Sequence, residues 1–119
     1  MKRTIAVLLL LLTSVAANDL TGKWSGSFKV GGGDHNVPQW FIFRQDGNNL
    51  TGSGGPDASE QYPLENGKVD GNRVRFALTT GEWSFTYDLR ADGKKLAGNL
   101  ELKSLNDRRT AQVSLTKTE

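Results

Sequence analysis

Three Asp-Gly pairs, Asp46-Gly47, Asp70-Gly71 and Asp92-Gly93, recur about every 23 residues, the length of two short strands with their turns. The surrounding strings are alike: Gln45-Asp46-Gly47-Asn48-Asn49-Leu50, Val69-Asp70-Gly71-Asn72-Arg73-Val74 and Ala91-Asp92-Gly93-Lys94-Lys95-Leu96. Asp-Gly between alternating runs is a strong hairpin signal, because glycine takes a positive φ without steric cost. Hairpins in series make an antiparallel up-and-down meander.

The runs between the turns alternate with period two, the pattern of a strand with one wet face. Trp24, Gly26, Phe28 and Val30 alternate with Lys23, Ser25, Ser27 and Lys29. Val74, Phe76 and Leu78 follow the same rule, as do Trp83, Phe85, Tyr87 and Leu89. Leu96, Gly98, Leu100 and Leu102, and then Ala111, Val113 and Leu115, complete the set. Residues 37–45 are apolar on both faces in their middle, so either Trp40 and Ile42 or Phe41 and Phe43 point inward. Asn49 to Ser53 reads as a short strand and residues 54–59 as the longest loop. Gln61 to Val69 reads as a weaker strand, interrupted by Pro63 and Gly67.

About eight strands result. A meander of that size removes its exposed edges by closing into a small barrel. Eight strands enclose an interior that side chains just fill, or that holds one small ligand. The expected fold is therefore all-β, a closed antiparallel meander, with a β-sandwich as the alternative.

The N-terminus reads differently. Lys2 and Arg3 precede an apolar run, Ile5 to Leu12, and then the small residues Thr13 to Ala17. Val15 and Ala17 occupy the −3 and −1 places of an A-x-A-like cleavage site. That layout predicts a signal-peptide helix over residues 1–17, with Ala16 as the alternative cleavage point. The run is far shorter than the ~20 residues of a bilayer-spanning helix. Residues 18–119 are then a single exported β-barrel domain, in the periplasm or outside the cell, with no membrane span after cleavage.

Removing the leader changes the charge. The chain has 15 Lys+Arg and 13 Asp+Glu; Lys2 and Arg3 leave with the leader, so the mature domain is balanced. A basic footprint for nucleic acid is missing, and no Lys/Arg run suits an anionic membrane surface. Cysteine is absent, which excludes disulfides, thiolate catalysis and cysteine-based zinc sites.

Catalytic and metal-binding constellations do not stand out, and no cofactor is implied. His35 is the single histidine and sits in a Gly/Asp/Asn loop, where it lacks the partners of a triad or a zinc site. Asp46, Asp70 and Asp92 lie at turns, while Glu60, Glu65, Glu82 and Asp88 fall on loops or outward positions. Carboxylates so placed are poor general acids at neutral pH. Asn49-Leu50-Thr51 fits a glycosylation sequon, and Lys94-Lys95 and Arg108-Arg109 read as solvated strand ends.

The aromatic residues carry the functional expectation. Trp24, Phe28, Phe43, Phe76, Trp83 and Tyr87 are the candidate ligand-lining residues, as aromatic walls of an interior cup; the bland alternative is a packed aromatic core. A carrier of this kind should enclose at least ~300 Å³. Trp40 and Tyr62 are candidates for an outer binding surface.

The strings TGKWSGSF, FIFRQDGNNLTG, GKVDGNRVRF and FTYDLRADGKKLAG resemble small exported bacterial domains of the lipocalin-like, calycin-type β-barrel. The resemblance spans nearly the whole mature chain and implies the barrel fold with an accessory or binding role. Leu20-Thr21-Gly22-Lys23-Trp24 is also similar to the first strand of avidins. Gly26 and Val30 stand where that family has polar ligand contacts, so biotin binding is not implied. The leading expectation is a non-enzymatic exported barrel that binds a small apolar ligand or a partner. The alternative is an interaction module with a filled core that uses its outer aromatic face for carbohydrate or protein. A small hydrolase ranks last.

Overall fold

A computed structural model describes residues 19–31 and 35–118. The expected leader, residues 1–17, lies outside the described residues. Among the described residues nine strands follow in order: β1 (Gly22–Val30), β2 (Asn36–Asp46), β3 (Asn49–Asp57), β4 (Glu60–Pro63), β5 (Glu65–Asp70), β6 (Arg73–Thr80), β7 (Trp83–Asp92), β8 (Lys95–Lys103) and β9 (Arg108–Lys117). Among the described residues, no helix is long and apolar enough to cross a membrane.

Strands that follow one another in the chain pair antiparallel, except β4 and β5, which both pair with β3, and β9 returns to β1. That last ladder runs from Trp24 opposite Lys117 to Val30 opposite Ala111 and closes the sheet into a barrel. β4 and β5 share one place in the wall, broken at Leu64, so nine strands make an eight-position barrel. β5 pairs with β6, but β4 pairs with β3 alone among the described residues. The wall is therefore unzipped between β4 and the end of β6.

The three Asp-Gly hairpins use the expected glycines in a slightly different frame, and Gly81, not anticipated from the sequence, plays the same part between β6 and β7. Gly47, Gly71, Gly81 and Gly93 have φ of 63°, 63°, 57° and 62°. Each is the first of two turn residues, and the preceding Asp46, Asp70, Thr80 and Asp92 still pair across the strands. A positive φ at the first loop position alone is the type II′ pattern, whose twist matches that of the strands. The aspartates thus end strands rather than form turns.

Residues 54–59 are not the long loop expected. β3 continues to Asp57, and only Ala58 and Ser59 turn. Asp57 Oδ1 accepts hydrogen bonds from the Ser59 amide at 2.9 Å, its hydroxyl at 2.8 Å and the Glu60 amide at 3.0 Å. The glycines serve packing instead: a Cβ on Gly54 would lie 2.2 Å from the Phe41 ring.

β2 places Phe41 and Phe43 inside and leaves Ile42 40% exposed. An aromatic column fills the barrel. Trp24 lies 6.1 Å from Phe43, Phe43 5.3 Å from Phe41, Phe41 5.5 Å from Phe76, and Phe76 4.6 Å from Tyr87. Tilted and offset rings suit the quadrupoles of aromatic groups.

One end of the barrel is plugged. Leu20, 2% exposed, folds over the start of β1. Its amide donates to Gln45 Oε1 at 2.8 Å, and its carbonyl accepts from Trp24 Nε1 at 2.9 Å. The three Asp-Gly hairpins lie at this end, because a repeat of two strands returns each turn to the same rim.

Candidate functional site

The opposite rim is built from the end of β1, the start of β2, the β3–β4 turn and the β6–β7 turn. Here the column stops at Tyr87 and leaves a cavity of about 210 Å³. Phe28, Val37, Leu78 and Phe85 supply apolar walls, and Tyr62 and Glu60 of β4 form one lip. The unzipped β4–β6 stretch lies beside it, so the same break that ends the ladder opens the mouth.

The floor is polar at one point. The Tyr87 hydroxyl donates a short hydrogen bond to Gln39 Oε1, and Gln39 Nε2 donates to the Pro38 carbonyl at 3.0 Å. Gln39 is the single buried polar residue among those described. Burial pushes the Tyr87 phenol far above its ordinary value, because the ionised form would lose its hydration. Tyr87 therefore remains a neutral donor. Tyr87→Phe should leave the Gln39 oxygen without its partner and cost about 1–3 kcal/mol. Urea unfolding measures this; an unchanged midpoint would show that the pair contributes nothing net.

At the lip, the Tyr62 hydroxyl donates to Glu60 Oε2 at 2.6 Å. That bond, by holding the proton, raises the phenol above its usual value. Among the described residues, Glu60 is the one charged residue of the lining.

The expected site residues divide into groups. Phe28 and Tyr87 line the cavity. Trp24, Phe43 and Phe76 are buried in the column and do not reach this mouth. Trp83 is half-buried, packs against the core near the β6–β7 turn, and is not part of the lining. Tyr62, expected on an outer surface, stands at the mouth. Trp40 points outward, half-buried, beside exposed Ile42. The cavity is smaller than the ~300 Å³ expected of a carrier.

Sequence reasoning missed Gln39, Val37 and Leu78 as site residues. Gln39 shares the inward phase of Phe41 and Phe43, so the signal was present once that phase was known. A broader depression of about 550 Å³ is lined chiefly by exposed polar groups, Arg44, Asn49, Thr51 and Lys68 among them. No cluster of three or more metal-ligating side chains occurs among the described residues.

The chain was compared with family models, curated proteins and solved structures, and none matches it. The closed antiparallel barrel is compatible with a lipocalin-like architecture.

Proposed function

We propose that this chain is an exported, non-enzymatic barrel that takes a small, mainly apolar molecule into the cavity beside Tyr87. The observation that carries the reading is the 210 Å³ space with apolar walls over one fixed polar pair. A few oriented polar groups in an apolar hollow are the usual make-up of a ligand site. An apolar cavity of ~150 Å³ accepts benzene, so this one suits a single ring or a branched alkyl group. A larger ligand would insert one end only. Among the described residues the lining offers one carboxylate, at the lip, and the Tyr87 hydroxyl at the floor is held by Gln39, which supports binding over chemistry. Export rests on the leader pattern of residues 1–17, and the kinship with lipocalin-like domains on the motif strings and the compatible barrel.

Titration with toluene and cyclohexanol, followed by NMR shifts of Phe28, Phe85 and Tyr87, tests the reading. Saturable shifts at those rings are expected. Val37→Trp should fill the mouth and weaken binding at least ~10-fold, which corresponds to ~1.4 kcal/mol. Val37 is half-buried at the rim, so the fold should survive. Absence of saturable shifts with every probe would overturn the proposal. Binding that resists Val37→Trp but is lost in Trp40→Ala would move the site to the outer face.

A further inference from the structure

The lining of the mouth has an unusual chemistry for a purely apolar hollow. Four aromatic rings, Phe28 of β1, Tyr62 of β4, and Phe85 and Tyr87 of β7, border one small space. The ring faces of such groups are electron-rich and attract cations. Among the described residues, the only charge in the lining is negative, and it is held in place: Glu60 accepts the 2.6 Å hydrogen bond from Tyr62. The two arginines that begin β9, at the same end of the barrel, are already engaged. Arg108 lies 3.4 Å from Glu101 and Arg109 3.0 Å from Asp107. The floor hydroxyl of Tyr87 donates to Gln39, so it is not free to serve an anion.

We infer that the ligand carries a compact alkylated ammonium head, caged by Phe28, Tyr62, Phe85 and Tyr87, with Glu60 as its counter-charge. This rests on the small-molecule reading above and names the chemical class. A quaternary ammonium presents methyl groups to the walls and spreads its charge over them. It therefore satisfies the apolar lining and the carboxylate together, which a bare ammonium, with its tightly held water, does not. Attraction to ring faces is strongest where water is removed, and three of the walls, Phe28, Leu78 and Tyr87, are buried.

The test compares choline with its uncharged isostere, the alcohol in which carbon replaces the quaternary nitrogen, and with tert-butylacetate as the anion. Affinities are measured by NMR titration of the full mature chain at matched ionic strength. Choline should bind about tenfold tighter than the alcohol, and the anion weakest. Glu60→Gln, at an exposed position, should bring choline and the alcohol within about twofold of each other. Tyr62→Leu should do the same through loss of a ring and of the bond that holds Glu60. Equal affinity for choline and the alcohol would overturn the cationic head and leave the small-molecule reading standing. So would binding of toluene with no binding of choline. A charge preference that survives both variants would overturn the cage as drawn. Failure of every probe, toluene included, would remove both proposals.

Discussion

Trp24→Ala is expected to lower the free energy of unfolding by about 3–5 kcal/mol, the range for removing a fully buried large aromatic. Trp24 is 0% exposed and begins the aromatic column against Phe43. Its indole nitrogen also holds the Leu20 carbonyl, which keeps the plug over the closed end. The variant therefore loses ring packing and leaves the plug without its anchor. With no cysteine in the chain, no cross-link limits the unfolded state. Domains of this size have only about 5–15 kcal/mol in hand, so a large part of the population should be unfolded on mild warming. Trp40→Ala is the control: Trp40 is half-buried on the outer face and should cost about 1 kcal/mol. Urea denaturation followed by circular dichroism separates the two. Equal midpoints would mean that the column is not what supports the barrel.

Gly26→Ala should cost about 3 kcal/mol, at the upper end of overpacking effects. A Cβ at this position would lie 1.9 Å from the Ser114 carbonyl oxygen and 2.9 Å from the Leu115 Cα. Both obstacles are main chain, so no rotamer change relieves the clash. β1 and β9 would have to move apart, at the ladder that closes the barrel. Hydrogen exchange should show the amides of that ladder losing protection before those of the β6–β7 hairpin. Gly98→Ala offers a second case, with the Asp88 carbonyl oxygen at 2.4 Å. If Gly26→Ala folded with unchanged stability and uniform protection, the seam would be looser than its geometry indicates.

The inward residues of β1 and β6 to β9 were legible because alternation there is clean: one phase is apolar and the other mostly polar or charged. β2 was not legible, since Trp40, Phe41, Ile42 and Phe43 carry no polar marker. Packing chose Phe41 and Phe43, whose rings meet Phe76 and Tyr87 across the barrel. The same choice brought Gln39 to the cavity floor, so an undecided phase hid the residue that gives the site its polarity. Gly54 and Gly55 were misread as loop residues because a glycine's role depends on its neighbour. For Gly54 that neighbour is the Phe41 ring of β2, and for Gly55 it is the Glu60 carbonyl oxygen of β4.

Alternation and the Asp-Gly repeat, both local properties of the chain, determined the strands, the meander and the rim on which those hairpins gather. Local φ preference and side-chain phase need no distant partner, so they are written in sequence order. Tertiary structure decided which end stays open and which rings reach it. The β4–β6 break, the stop of the column at Tyr87 and the gathering of Phe28, Tyr62 and Tyr87 around one space all arise from contacts between remote strands, whose distances no local pattern encodes.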